Sequence, residues 1–354
     1  MTSISRETFE AWRAPRLGTE NPTRHDNPLW ASLVHDRINA YQVNKRFGYE
    51  RSSGTGATWC FDRFGQTTTL LDDGRTVYIG GEHEDYYDAD FYIYSDVVVV
   101  SSDRSVAIYG YPRDAFPPTD FHTATRDGEK IWIVGSLSYV AARKVGTTQV
   151  CRLDLATMAI EPLATTGEAP GWIHKHRAEL IDGAIVVRGG YVQRVARKPV
   201  DENIDEWALD PTTLVWARRT TLDWQRWTVQ RADGKRSLVW ELRQLLWEVK
   251  RPDVPSAVSY RGDIARETGR EPDLALLEGL YLCSGAVAIE RRDAESFNVF
   301  RIEVDGVIVR FTEEHYRIAA MVEGRLAEGR LHALQQHVIA NLSALHGTTW
   351  ELAG

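Results

Sequence analysis

The sequence predicts a mainly β fold of repeated units, with a helix before them and a smaller α+β module after them. From residue 57 to about residue 220, short β-rich runs alternate with Asp-Gly turns, which are strong hairpin signals. Pairs of small residues recur there at spacings of 55 and 54 residues. Helical periodicity is found on either side of this region. We therefore predict three segments: 1–56, 57–237 and 238–354.

Composition excludes several classes of protein. The 354 residues are 43% hydrophobic and 26% charged, which is typical of a soluble chain of two domains or one large domain. The net charge of −8 argues against a nucleic-acid partner. No run of eighteen apolar residues suggests a membrane partner, and residues 1–6 lack the apolar segment of a signal peptide. Cys60, Cys151 and Cys283 form no close pair, which favours a reducing cytoplasm.

The N-terminal segment is expected to hold one helix. Residues 1–27 are polar and loop-like, and Asn27-Pro28 then has the pattern of an N-cap followed by a first-turn proline. Apolar residues from Leu29 to Tyr41 follow at three-and-four spacing. The pattern predicts a helix over residues 28–46.

Three units of the central segment share one sequence pattern. Each unit starts with related residues, continues through an Asp-Gly turn and closes a strand with a small-residue pair. The starts are Gly65–Thr68, Phe121–Ala124 and Lys175–Ala178; the turns are Asp73-Gly74, Asp127-Gly128 and Asp182-Gly183; the pairs are Gly80-Gly81, Gly135-Ser136 and Gly189-Gly190.

This pattern resembles the kelch repeat, a four-stranded β-propeller blade of about 50 residues. The resemblance covers roughly residues 57–220, and the second pair departs from it by being Gly-Ser. Because propellers typically have four to eight blades, it implies kelch-like blades of a degenerate or incomplete propeller. Residues 224–239, with an Asp233-Gly234 turn, are a candidate fourth unit, and closure by the C-terminal strands is the alternative.

The C-terminal module combines helices and strands. A helix is predicted from Leu238 to Val249, with a strand as the alternative, and a short buried helix over residues 272–282. Strands are predicted over 297–304, 307–311 and 316–322, followed by a helix over 326–345 that Gly347 caps.

In a blade, the loops after the small-residue pairs share one face with the connections between blades. That face is the predicted site for a protein partner or a small ligand, because aromatic side chains beside arginines are typical of binding hot spots and sugar platforms. Packing of the aromatic side chains beneath the loops is the alternative. The candidate contacts are Tyr86, Tyr87, Arg113, Asp120, Trp172, Arg177 and Arg194, and Tyr109 and Tyr111 are placed on the same face.

One loop on this face has the residue types of a metal site. His83, Asp85, Asp88 and Asp90 supply one imidazole and three carboxylates, which suit a divalent metal. The alternative is an acidic loop that pairs with basic neighbours. No other cofactor is indicated.

Three histidines are candidate catalytic groups. His122 and His176 occupy equivalent positions at the unit starts, where the kelch resemblance implies structural support. His174 lies outside that equivalence and suits ligand binding or proton transfer.

Motifs for phosphate-binding loops, nucleophile elbows and paired thiolates are missing. A kelch-type copper-radical oxidase needs a Tyr–Cys crosslink, and the one candidate, Cys60, precedes the first unit, which argues against it. The leading hypothesis is a kelch-like binding or interaction protein. The alternative is a metal-assisted or acid–base enzyme acting on a sugar-type or other small substrate at the same loop face.

Overall fold

The computed structural model describes residues 4–49, 56–83, 88–194, 200–251, 260–290 and 297–353. The fold is mainly β, with several antiparallel sheets. It divides into two compact units, residues 1–221 and 222–354. Within the described ranges, no helix has the length and apolar character needed to cross a membrane.

The first unit has short helices at its N-terminus and strands thereafter. Its helices are α1 (Arg6–Trp12), α2 (Pro28–Asp36) and α3 (Ala40–Arg46). Its strands are β1 (Thr23–Arg24), β2 (Thr67–Leu70), β3 (Thr76–Ile79), β4 (Glu82–His83), β5 (Tyr92–Ile93), β6 (Asp96–Val100), β7 (Val106–Gly110), β8 (Thr123–Asp127), β9 (Lys130–Val134), β10 (Val150–Asp154), β11 (Ile160–Pro162), β12 (Thr166–Gly167), β13 (Trp172–His174), β14 (Arg177–Ile181), β15 (Ala184–Arg188), β16 (Tyr191–Gln193), β17 (Asp201–Glu202), β18 (Trp207–Leu209) and β19 (Val215–Arg218).

The predicted single helix over residues 28–46 is two helices. Asn27 caps α2 as expected, but Arg37 adopts the left-handed conformation with φ 51° and ends it. Asn39 and Gln42 then form a capping box that starts α3. The prediction of a loop-like region before residue 27 is also wrong in part, because Ser5 caps the short helix α1 there.

These helices pack against the first sheet. Their apolar side chains share one buried cluster with Tyr78, Val98 and Ile108 of β3, β6 and β7. Within this cluster the indole rings of Trp30 and Trp59 stack, with centroids 4.9 Å apart. The segment 1–56 thus shares the core of the first unit.

Three four-stranded antiparallel meanders form the body of the first unit. Their strand orders are β2-β3-β6-β7, β8-β9-β10-β11 and β14-β15-β18-β19, with β1 added beside β7 and β12 parallel to β19. In each meander, the predicted Asp-Gly turn joins the first two strands, which confirms those hairpins. The described residues form no closed propeller.

The small-residue pairs end β3, β9 and β15 where the backbone approaches a neighbouring segment. Gly80 has φ 57°, and a Cβ atom there would lie 2.2 Å from the carbonyl oxygen of Thr119. Gly135 has φ 74°, and its Cβ would lie 2.4 Å from the oxygen of Ile173. Both positions therefore require the glycine backbone, as the sequence predicts.

Successive meanders pack face to face. One buried cluster includes Val77 and Ile79 of the first meander and Ile131 and Ile133 of the second. The next buries Trp132 of the second meander among residues of the third, including Trp207 and Trp216. All three tryptophans are buried core residues.

The second unit is a six-stranded antiparallel sheet with helices. Its sheet order is β21-β22-β23-β24-β20-β25, and its core includes residues of α4 and α7. The strands are β20 (Arg226–Arg231), β21 (Val287–Ile289), β22 (Val299–Val304), β23 (Val307–Glu313), β24 (Arg317–Val322) and β25 (Trp350–Leu352). The helices are α4 (Val239–Lys250), α5 (Tyr260–Thr268), α6 (Leu274–Glu278) and α7 (Glu328–His346).

The candidate fourth unit at residues 224–239 is wrong. Strand β20 pairs with β24 and β25 instead of forming a separate meander, because its partners come from the far end of the chain. The division at residues 221 and 222 accordingly lies before the predicted boundary at 237. The predicted helix from Leu238 to Val249 is confirmed as α4, and the predicted cap Gly347 has the left-handed φ of 65°.

Candidate ligand-binding site

The loops that follow the small-residue pairs and the connections between meanders are here called the loop face. It comprises residues 81–95, 111–122, 136–149, 164–176 and 189–206, as far as they are described. A cleft of about 640 Å³ opens on this face. Its polar and charged lining includes Arg113, Asp114, Ser138, Arg143, Lys144, Thr147, Thr148, Gln149 and Thr165, with Trp172 and Cys151 among the other lining residues.

The three-stranded sheet β13-β16-β17 contributes Trp172 to the wall of the cleft. In the antiparallel pair of β13 and β16, Trp172 lies directly opposite Gln193, so both side chains point to the same side of the sheet. The indole Nε1 of Trp172 donates to the carbonyl oxygen of Leu137 at 3.2 Å. The side chain of Trp172 is buried, so it packs under the loop rather than forming an exposed platform.

Arg143 is held on the cleft wall by several acceptors. Its Nε donates to the oxygen of Leu137 at 2.9 Å, and its Nη1 to Oε1 of Gln193 at 3.3 Å. Burial lowers the pKa of this guanidinium, while the negative charges of Asp120 and Glu82 act in the opposite direction. Arg143 therefore places a positive charge on the wall in a fixed orientation.

Asp120 organises the loop that carries Arg143. Its Oδ1 accepts a hydrogen bond from Oγ of Ser136 at 2.9 Å and one from the backbone nitrogen of Ser138 at 2.6 Å. The residue is fully buried, and its Oδ2 has no hydrogen-bond partner in the described part of the chain. We infer that Asp120 positions the loop, and direct contact with a ligand stays a prediction.

Arg113 and Lys144 are the exposed cations of the cleft. Neither side chain makes a hydrogen bond or an ion pair with the residues that the structure describes. Asp114 is the acidic residue among the lining residues, and its Oδ1 accepts from the backbone nitrogen of Ala115 at 3.1 Å. The cleft thus holds three cations and one carboxylate in a chain whose net charge is −8.

His122 and His176 join successive meanders. Nε2 of His122 is 2.8 Å from Oγ1 of Thr67, and Nε2 of His176 is 3.1 Å from Oγ1 of Thr123. Burial lowers the pKa of each imidazole to about 3, so both are neutral at pH 7. This geometry supports the structural role that the resemblance implies.

His174 lies on the same strand, β13, as Trp172. Its ring is 5.9 Å from that of Tyr191, and its Nδ1 is buried without a hydrogen-bond partner among the described residues. Burial, with smaller effects from Lys175 and Arg143, lowers its pKa to about 4. A neutral imidazole of this kind can accept a proton only weakly at pH 7, and its predicted role in proton transfer stays a prediction.

The proposed metal loop is only partly described. His83 and Asp90 are buried and Asp88 is half-buried, whereas Asp85 lies outside the described residues, as do Tyr86 and Tyr87. In the described ranges, no group of three His, Cys, Asp or Glu side chains could hold a metal ion. The metal site therefore stays a prediction.

His83 belongs to a buried network around Tyr94. Its Nδ1 is 2.8 Å from the hydroxyl of Tyr94, which also accepts a hydrogen bond from the backbone nitrogen of Cys60 at 3.1 Å. The Cys60 sulfur lies 3.6 Å from the same hydroxyl, and burial raises the pKa of the thiol to about 11. His83 also lines a smaller cavity of about 310 Å³ beside Asp62 and Arg63.

The cleft unites only part of the predicted contact set. Arg113 and Trp172 line it, Arg177 begins β14 and is exposed, and Arg194 faces Asp201 with 3.5 Å between Nε and Oδ2. Tyr111 is fully buried, and its hydroxyl donates to the backbone oxygen of Met158, which fits the alternative that the aromatic side chains pack beneath the loops.

Arg143, Lys144, Thr148 and Gln149 line the cleft but are not among the contacts predicted from the sequence. Their position in the segment that follows the Gly135-Ser136 pair, which comes after the end of a strand at this face, is the signal that could have identified them.

The likeness of this chain to a solved structure is weak. No protein-family model matches the sequence, and no curated protein matches it. Among solved structures, the chain is similar to one titled "Structure of YjhT", with 13% sequence identity and a TM-score of 0.34. The match covers 51% of this chain and 60% of that chain, which is less than two thirds of its length. A likeness at this level identifies no family.

Proposed function

We propose that this chain is a binding protein built on kelch-like β-blades, and that its loop face holds a small ligand in the cleft beside Arg113, Arg143 and Trp172. Three meanders that recur at almost constant sequence spacing support the blade assignment. The histidine–threonine contacts at the starts of their first strands support a common axis for the blades.

One observation carries the choice of a small ligand. The cleft of about 640 Å³ lies in the size range of ligand pockets in proteins, roughly 300 to 1,000 Å³. It combines a buried indole with hydroxyl, amide and cationic groups at its surface. A concave site with polar groups of this kind is suited to a small molecule, whereas protein partners are usually bound over broader surfaces.

The proposed compartment is the cytoplasm. All three cysteines are free and buried, a state that a reducing environment preserves.

The test uses a substitution that fills the cleft. Ala142 is exposed on the short 3₁₀ turn Val140–Ala142 at its wall, so Ala142→Trp should occlude it without entering the core. Ala156→Trp, in the exposed turn between β10 and β11, is the matched control. A metabolite library screened by thermal shift should give ligands that calorimetry shows to bind the wild type and the control but not Ala142→Trp. Ligands that bind all three proteins equally would place the binding site elsewhere.

A further inference from the structure

We infer that the cleft on the loop face is selective for small organic molecules that carry a carboxylate or phosphate group. The inference rests on the proposed function, because it names the chemical class of ligand for the same site. It depends on how charge is distributed around the cleft, which the proposal of a ligand site does not use.

The charge of the cleft is opposite to that of the chain. The whole sequence has 42 Lys and Arg against 50 Asp and Glu. Arg113, Arg143 and Lys144 nevertheless line one cleft with a single acidic residue, Asp114. Such a local reversal attracts anions to a protein that otherwise repels them.

Two of these cations are available to a ligand. Elsewhere in the first unit, arginine side chains are often committed to carboxylates, as in Arg188–Glu206 and Arg152–Glu161. Arg113 and Lys144 have no such partner among the described residues. Their positive charge is therefore not neutralised within the described part of the protein, and a bound anion would neutralise it.

The third cation, Arg143, is held in one orientation but has no direct ion pair with any residue that the structure describes. The acceptors of Arg143 are the carbonyl oxygens of Leu137 and Ser138 and the amide oxygen of Gln193. Asp120 and Glu82 act on it only through their charge, and the hydrogen bonds of Asp120 Oδ1 go to Ser136 and Ser138. Neutral acceptors fix the direction of the guanidinium while leaving its charge in place, which is the arrangement that recognises an anion.

Hydroxyl and amide groups complete the site. Gln149 and Thr165 line the same cleft, and each makes one hydrogen bond within the protein: Nε2 of Gln149 donates to Oγ1 of Thr119 at 2.9 Å, and Oγ1 of Thr165 accepts from Nε1 of Trp216 at 3.2 Å. Among the described residues, the amide oxygen of Gln149 and the hydroxyl proton of Thr165 are left for the uncharged part of a ligand. Thr148 is already committed, because its Oγ1 donates to the oxygen of Gly171 at 2.8 Å. This combination fits a small polar organic anion.

The experiment compares anions with their uncharged counterparts on the full chain. The probes are glutarate against glutaramide, and glucuronate and glucose 6-phosphate against glucose, with inorganic phosphate measured alone. Calorimetric titrations at low and high ionic strength should show at least one organic anion binding, with its neutral counterpart at least about tenfold weaker. Added salt should weaken the binding of the anion, because it screens exposed charges.

Two charge-removing variants and two matched controls locate the effect. Arg113→Gln and Lys144→Gln should each weaken binding of that anion by about tenfold or more. Arg104→Gln and Lys130→Gln remove the same kinds of charge at exposed positions outside the cleft. Arg104 lies in the turn between β6 and β7, and Lys130 is the first residue of β9, so binding should be unchanged. All four positions are exposed, so equal thermal melting of the variants shows that folding is intact.

The outcomes separate the two proposals. If a neutral probe binds as tightly as its anion and Ala142→Trp abolishes both, the cleft is a ligand site and its anion selectivity is refuted. If an anion binds but neither Arg113→Gln nor Lys144→Gln weakens it, the inference is refuted as well. Failure of every organic anion to bind at millimolar concentration also refutes it. Binding of all probes that is indifferent to Ala142→Trp refutes the proposed function itself.

Discussion

Loss of the negative charge at Asp96 should destabilise the first unit more than the loss of any exposed carboxylate. The Arg63 side chain is fully buried, and its Nη1 and Nη2 lie 2.5 Å and 3.0 Å from the two carboxylate oxygens of Asp96. Its Nε donates to the oxygen of Cys60, and its guanidinium lies 3.3 Å from the ring centroid of Tyr94. The cation therefore has one compensating charge in direct contact within the described structure.

Asp96→Asn keeps the size of the side chain and an acceptor for the indole Nε1 of Trp59, which is 2.9 Å from Oδ2. It leaves the Arg63 cation buried without its counter-charge, which costs about 3–5 kcal/mol of unfolding free energy. Glu10→Gln is the control, because the Arg6–Glu10 pair is mostly exposed and should contribute less than about 1 kcal/mol.

Urea unfolding followed by tryptophan fluorescence and circular dichroism gives both values. The fits should allow two transitions, since the chain has two compact units. The double variant Arg63→Met/Asp96→Leu should recover part of the loss, because it removes both buried charges together. An effect of Asp96→Asn no larger than that of Glu10→Gln would refute the reasoning.

Two further predictions concern the strand ends and the junctions between meanders. Gly80→Ala should cost at least about 1–3 kcal/mol more than Gly128→Ala, since both glycines have φ near 57° but only the first has a carbonyl oxygen 2.2 Å from the added Cβ; equal melting of the two variants would contradict this. His122 and His176 have pKa values of about 3 when folded and 6.5 as the ordinary value, so the unfolded chain binds more protons between those values, and stability falls as the pH drops below 6.5. Each histidine should contribute about 1.4 kcal/mol per pH unit in that window. His176→Gln should lower the slope of unfolding free energy against pH between pH 6 and pH 4 by that amount, and an unchanged slope would exclude burial as the cause.

The parts of the fold that local chemistry determines could be predicted from the sequence. Asp-Gly turns and glycine pairs indicate, within two residues, that the backbone must adopt positive φ. The structure has hairpins at the turns and strand ends at the pairs. The break between α2 and α3 could not be predicted in this way, because the left-handed residue is Arg37 rather than glycine. The residues paired with β20 are between 87 (Gln230 to Arg317) and 123 (Val229 to Leu352) positions away in the sequence, and no local pattern identifies them.

In the candidate site, too, the position of a residue could be predicted from local sequence, but its burial could not. Arg113 and Trp172 could be placed on the loop face by counting from the glycine pairs, and both line the cleft. Whether an aromatic side chain is exposed depends on contacts from distant segments. Trp172 and Tyr111 are both buried, and each donates a hydrogen bond to the backbone of a segment that is distant in sequence: Trp172 to the oxygen of Leu137 and Tyr111 to the oxygen of Met158. The sequence contains both residues but not these distances.

The residues at the junctions between meanders differ from one meander to the next. At the equivalent position before the first strand of each meander, the sequence has Gln66-Thr67, His122-Thr123 and His176-Arg177. Each histidine is hydrogen-bonded to the threonine of the preceding meander. The second and third meanders therefore each contribute the histidine of the contact that joins them to the meander before. The first meander has glutamine instead of histidine at this position, and the third meander has Arg177 instead of threonine. A duplicated copy of the middle meander would contain both the histidine and the threonine that form these contacts, so a further meander could be inserted there without other changes. A meander added before the first or after the third would need a substitution at Gln66 or Arg177 to form the same contact.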